Sequence, residues 1–359
     1  MPRKRQRIFG WLDERFHISP LIEFMRHKKV PVHRHTVWYY MGGVALFLFV
    51  VQVATGILLV LYYQADEEAA FESVRFLMTK VPFGWLIRSI HSWAANLMVL
   101  FVFIHMFSTF FTRAFRKPRE LTWVSGFTLL ALALFFGFTG YLLPWNELSF
   151  FATKVGTDIA GAVPFIGNAI KVVLRGGEDV TGATLSRFYA IHIAIIPAIF
   201  TAILVLHLLF VQRQGMHEPE YVAKLPSDKK KMISFFPNFL MRDMLLWLMV
   251  LNVLIFLAVF FPWELGHKAD AFAPAPSGIK PEWFFMFMFQ TLKVLPAHIL
   301  FMEGEVLGIL FFGLVGVAWM LVPFWEIKHR PDKRVRPMTV IGVTAILYIV
   351  VMTIWGYLE

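Results

Sequence analysis

Seven long apolar runs constrain this chain more than any other feature. Residues 36–62, 89–111, 121–143, 188–211, 244–262, 306–325 and 338–357 are each long and apolar enough to cross about 30 Å of hydrocarbon as a helix. With 58% hydrophobic residues, 16% charged residues and a mean hydropathy of +0.64, the 359-residue chain is too apolar for a water-soluble globule. The sequence therefore predicts an all-α integral membrane protein with seven transmembrane helices, here called spans A to G. The run from Phe284 to Leu300 is also apolar, but Gln290, Lys293 and Pro296 interrupt it. It is expected to lie along the membrane surface or re-enter partway.

Charge is sorted by side. Of the 34 Lys and Arg residues, 24 fall before span A or in the B–C, D–E and F–G connections, and 10 in the other three connections. Such a bias places the N terminus in the cytoplasm and the C terminus on the opposite face. It also accounts for the net charge of +10, so nucleic-acid binding gains no support. The basic run Pro2 to Arg7 is not followed closely by an apolar core and a small-residue cleavage site. No signal peptide is expected, and span A would start insertion itself. The chain has no cysteine, which excludes disulfides, iron–sulfur clusters and thioether-linked haem on it. Any metal has to be held by histidine or carboxylate.

The runs form two blocks: an N-terminal four-helix block (1–211, spans A to D) and a C-terminal three-helix block (244–359, spans E to G). A cytoplasmic linker, 212–243, joins them and contains Pro219, Pro226 and Pro237. Two long connections, 144–186 and 263–303, lie on the non-cytoplasmic side, and loops of that length are more often functional than idle.

Four of the 12 histidines, His91, His105, His192 and His207, lie inside spans, in pairs spaced 14 and 15. On a helix either spacing sets two imidazoles about 20 Å apart on nearly the same face. If B and D run in the same direction, His91 meets His192 near the outer side and His105 meets His207 near the inner side. Two such helices can clamp two haems, one near each surface. Bis-histidine ligation leaves no open iron position and favours electron transfer. A histidine alone is equally a satisfied helix contact, and proton relay is a competing use of the four. Span A has Gly42 and Gly56, and span C has Gly126 and Gly140, both pairs again spaced 14. Glycine at those depths would let a flat macrocycle approach the backbone. Ordinary small-residue helix packing is the other explanation.

The runs FGWLIRSIH (83–91), KPRELTWV (117–124), GYLLPW (140–145), TLSRFYAIH (184–192) and PEWF (281–284) resemble cytochrome b, the membrane core of the cytochrome bc and bf quinol oxidoreductases, over nearly the whole chain. The spacing of 15 and the seven-span count resemble the bf branch, with its two polypeptides fused here. The resemblance implies a dihaem subunit of a quinol:cytochrome c reductase in a bacterial inner membrane. His91 with His192 would hold the outer haem b, and His105 with His207 the inner one. Arg88, Arg119 and Arg187 would face haem propionates, for which guanidinium offers forked donors, though they also suit interfacial anchoring.

It implies further that Pro281, Glu282, Trp283 and Phe284 line a quinol-oxidation site. There Glu282 would accept a proton, and Tyr141, Pro144 and Trp145 would form the opposite wall. The family usually has tyrosine where Phe284 stands. Arg242 and Asp243 would serve quinone reduction on the cytoplasmic side, with Arg213 and Lys28 as further candidates; charges at helix ends are also ordinary boundary residues. The resemblance implies a Rieske iron–sulfur partner, which would take one electron from quinol while the other crosses the haems. A cytochrome c-type subunit, surrounding lipid, a homodimeric complex and proton translocation follow from it too. The bf branch attaches a third haem through a cysteine shortly before the first glycine of span A; Tyr40 stands in that place. A dihaem anchor for another oxidoreductase and a haem-free transporter or channel are the rival classes.

Overall fold

In a computed structural model, which describes residues 2–326 and 336–359, the chain folds into helices with two short strand pairs. The lysines and arginines at 327–335, counted above as cytoplasmic, lie outside the described residues. Amphipathic α1 (Pro2–Phe16) and α2 (Ile18–His27) lead to β1 (Lys29–Pro31) and then α3 (Thr36–Val60). After α4 (Ala70–Lys80) come α5 (Gly84–Thr112) and α6 (Glu120–Tyr141). A helical hairpin, α7 (Glu147–Gly161) and α8 (Gly167–Arg175), precedes α9 (Gly182–Gln214). Strand β2 (Met232–Ser234) pairs antiparallel with β1 and leads into α10 (Leu240–Phe260). The remaining elements are α11 (Trp283–Val294), a hairpin of β3 (His298–Ile299) and β4 (Met302–Glu303), α12 (Gly304–Met320) and α13 (Pro337–Leu358).

Among the described residues, α3, α5, α6, α9, α10 and α13 are long and apolar enough to cross a membrane. In hydrocarbon every backbone polar group has to be satisfied within the segment, which is why such runs are helical. The seventh expected span is shorter than its apolar run: α12 has 17 residues, about 25 Å, and a four-residue helix, Val322–Trp325, follows it. Pro323, in that short helix, lacks an N–H for a continuous ladder. The Phe284–Leu300 run yields the 12-residue α11, too short to span. It packs on α13 and α12 with Phe284, Met286 and Gln290 buried.

Outward faces stay apolar, as at Ile57, Val205, Leu245 and Leu314, each exposed. A helix with an apolar face on both sides is matched to a lipid surround. The central core joins Val44 and Leu48 of α3, Ala94 and Met98 of α5, Leu129 and Ala133 of α6, Phe200 of α9, and Val250 and Leu254 of α10. Helix α10, placed with the second block from sequence, therefore shares the core of the first.

The 144–186 connection is built, not loose. Asn146 caps α7, its side chain accepting from Ser149 N at 2.8 Å. Arg175, only 2% exposed, donates to Thr157 Oγ1, Glu178 O and Lys154 O, each at 2.7 Å, and pairs with Asp158 at 2.9 Å. Arg175→Met leaves those acceptors unmatched. It is expected to cost about 3 kcal/mol, read as earlier thermal loss of the folded protein.

Candidate functional site

The four intramembrane histidines converge in pairs: His91 of α5 lies near His192 of α9, and His105 near His207. The unequal spacings have a structural reason. In a regular helix 14 residues fall about 40° short of four turns and 15 overshoot by about 60°. Helix α9 absorbs the difference in a π turn, Ile191–Ile195, in which His192 sits and the N–H of Ile196 reaches back to Ile191 O. Pro197 has no N–H to give Ile193 O, so the ladder is already open where the extra residue enters.

Each glycine of the two spaced pairs faces one histidine. A Cβ added to Gly42 would stand 3.0 Å from His105 Cε1, to Gly56 3.4 Å from His91, to Gly126 3.0 Å from His207, and to Gly140 2.6 Å from His192. The clearance accommodates the imidazole itself, which refines the sequence expectation of clearance for a macrocycle. The residue before three of these glycines carries a hydroxyl. Thr55 Oγ1 lies 2.9 Å from His91 Nδ1, Ser125 Oγ 3.0 Å from His207 Nδ1 and Thr139 Oγ1 3.1 Å from His192 Nδ1. Each hydroxyl proton is already donated along its own helix, to Val51 O at 2.7 Å, Thr122 O at 3.0 Å and Phe135 O at 3.0 Å. The oxygen can then only accept, so Nδ1 carries the hydrogen and Nε2 keeps its lone pair. That is the tautomer a metal requires. Met41 precedes the fourth glycine, and His105 Nδ1 is buried without a partner.

Among the described residues no group of three or more His, Cys, Asp or Glu side chains could hold a bare metal ion. Two facing imidazoles fit a centre whose other ligands come with it, as the four nitrogens of a porphyrin do. The spaced pairs, their cleared ring positions and the fixed tautomers therefore suit two haems.

Arg88 is 7% exposed and donates to Trp263 O at 2.5 Å and Glu264 O at 3.2 Å, tying the 263–280 connection to α5. Arg119 Nη2 donates to Gln214 O at 3.1 Å, while its Nε is buried and unpartnered. Arg187 is exposed and reaches the last carbonyls of α8, Val172 O and Val173 O.

At one end of the bundle, α5, α6 and α11 meet around Glu282. The indole of Trp283 donates to Asn96 Oδ1 at 2.8 Å. Phe284 is buried against α6 where Gly137 leaves room: an added Cβ there would stand 2.7 Å from Phe284 Cζ. A ring tip so enclosed needs no hydroxyl. Burial pushes the Glu282 carboxyl up to about 6. Among the described residues it takes part in no hydrogen bond or ion pair, and the phenols of Tyr141 and Tyr357 lie within reach of its charge. Pro144 is half-buried. Trp145 is 2% exposed and packs with Leu142, Phe150 and Leu185, behind the wall that the sequence assigned it to line.

At the other end, Asp243 is 8% exposed and its Oδ1 has no partner among the described residues; the same holds for Tyr40 Oη and Trp247 Nε1. Gly43 makes room for this carboxylate, since an added Cβ would stand 2.6 Å from Asp243 Oδ1. Tyr40 lies flat on Phe239 at 4.6 Å. Arg242 is exposed beside it in α10. Lys28 and Arg213 line a separate cavity of about 400 Å³, where Lys28 bonds Gln212 and sits 5.2 Å over the Phe235 ring. Sequence reasoning missed the three hydroxyls, Gly43 and the π turn. The hydroxyl–glycine dipeptides were visible in the glycine spacing; the π turn had no signal beyond the odd spacing and Pro197.

An integral membrane bundle with two facing imidazole pairs defines a class, the transmembrane electron carriers. Residues 26–215 match the family model cytochrome b/b6/petB, and residues 268–359 match cytochrome b (C-terminal)/b6/petD. The chain belongs to the cytochrome b family, with both parts fused in one polypeptide. It is 48% identical over 358 residues to the cytochrome bc complex cytochrome b subunit of Chlorobaculum thiosulfatiphilum, covering 99% of this chain and 82% of that one. Cytochrome b6 of Heliobacterium mobile is 44% identical over 211 residues, 58% of this chain and 99% of that protein. A chain of a hyperthermophilic respiratory complex III superposes with a TM-score of 0.85 at 29% identity, covering 97% of this chain and 91% of that one.

Proposed function

We propose that this protein is the dihaem cytochrome b subunit of a quinol:cytochrome c reductase, with α12 as the seventh span. His91 and His192 would hold an outer haem b, His105 and His207 an inner one, and none would be thioether-linked. The single observation that carries this is the two facing imidazole pairs, three of whose four rings meet a hydroxyl oxygen at Nδ1. The haems would supply one-electron transfer between the two sides of the membrane. Gly42, Gly56, Gly126 and Gly140 keep the ring positions of the ligands open. Arg119, with its unmatched Nε, is placed for a propionate, and Arg88 and Arg187 for the outer boundary.

On the outer side, quinol binds against Pro281, Trp283, Phe284, Tyr141 and Pro144, with Trp145 as backing. Glu282, unpaired and half-buried, takes the proton of the quinol hydroxyl. A Rieske protein accepts one electron there and passes it towards a c-type cytochrome. On the inner side, Asp243 and Arg242 supply protons to a quinone, and Lys28 and Arg213 form a basic vestibule to it. Protons are released outside and taken up inside, in a bacterial inner membrane with the N terminus in the cytoplasm. The chain divides at the linker 212–243 into blocks 1–211 and 244–359, with α10 of the second packed into the core of the first, and the assembly is a homodimer within lipid.

A redox titration of the purified complex tests this. Two b-type absorption bands with separate potentials and a co-purifying Rieske protein are expected. A single b haem, or none, would overturn it.

A further inference from the structure

We propose that the hydroxyls of Thr55, Ser125 and Thr139, together with Met41 where a fourth would stand, order the potentials of the two haems so that electrons run from the outer pair to the inner. This rests on the dihaem reading above and assigns to these residues a positioning and tuning role, exerted through the histidines.

The four ligands are supported unequally. Both outer histidines give Nδ1–H to a threonine oxygen, His91 to Thr55 at 2.9 Å and His192 to Thr139 at 3.1 Å. Of the inner pair, His207 gives it to Ser125 at 3.0 Å, whereas His105 Nδ1 is buried with no acceptor. The difference lies in one residue. Thr55, Ser125 and Thr139 each immediately precede a glycine that faces a histidine, and Met41, 9% exposed, occupies that place before Gly42. A thioether is a weak acceptor and does not reach the imidazole here.

An acceptor on Nδ1–H makes the imidazole more basic at Nε2 and fixes its plane. A more basic donor favours the more positively charged, oxidised iron and so lowers the potential. Two supported ligands against one therefore set the outer haem below the inner. Electrons entering beside Glu282 then move downhill towards the side of Asp243.

The test is a redox titration of the b bands in the whole purified complex, with haem content measured in parallel. Met41→Thr is expected to supply the missing acceptor, lower the inner potential and narrow the gap. A tenfold change in the oxidised-over-reduced preference, about 60 mV for one electron, is the scale expected of one such bond. Met41→Leu should leave both potentials in place. Thr139→Val should raise the outer potential, and Thr139→Ser should restore it, which a purely structural role would not do. Full haem content with unmoved potentials in both Met41→Thr and Thr139→Val overturns the proposal. So does a shift of the opposite sign. Absence of b-type bands in the unmodified protein would instead sink the dihaem reading itself. If Thr139→Val loses its haem, Met41→Thr alone decides.

Discussion

Replacing His207 by leucine is expected to halve, roughly, the haem-to-protein ratio of the complex and abolish electron passage to the inner side. Leucine is as apolar as the surrounding α9 face, so membrane insertion and the α6–α9 packing should survive. On the dihaem reading, what would be lost is one of two iron–nitrogen bonds, and with it the ring that Gly126 and Ser125 hold in place. His105 would then be the one remaining ligand, with no acceptor at Nδ1 to fix its ring. The outer pair is built from different residues and should keep its haem, seen as the surviving lower-potential band. Haem extraction and a reduced-minus-oxidised spectrum measure this. Retention of both haems in His207→Leu would remove His207 from the ligand set.

Much of this site is legible in the sequence because hydrocarbon leaves few options. Apolar runs must be helices, and an imidazole inside one needs a partner. The helices nevertheless extend past the apolar runs. Arg88 lies within α5 and Asp243 within the first turn of α10, because their polar atoms find carbonyls or room opposite glycine and do not have to leave the helix. The helices of the 144–186 connection were hidden by its glycines, which suggested loop. Gly161 and Gly167 instead bound the α7–α8 turn, and the buried Arg175 closes it. Packing partners were beyond the pattern altogether. Nothing in the 244–262 run distinguishes a helix of the second block from one that buries Leu254 against α3 and α5. Trp145 shows the same limit: an aromatic residue at a boundary reads as a wall, and only its neighbours reveal a core residue.

Glu282→Gln is expected to slow quinol oxidation by about 10²- to 10⁴-fold, the span of general-base contributions, while leaving both haems bound. Glutamine keeps the shape and the start of α11 but cannot take a proton. The pH dependence discriminates this from a packing defect. Burial raises the Glu282 carboxyl to about 6, because the charged form loses hydration. A base works only when ionised, so the rate of the native protein should climb as pH rises through about 6 and level off above it. One unit below that value only about a tenth of the carboxyl is ionised. In Glu282→Gln that rise should vanish and the residual rate become flat across it. Glu282→Asp should keep the rise, with a lower plateau, because its shorter reach misplaces the acceptor oxygen. A Glu282→Gln protein that still accelerates through pH 6 would move the base elsewhere.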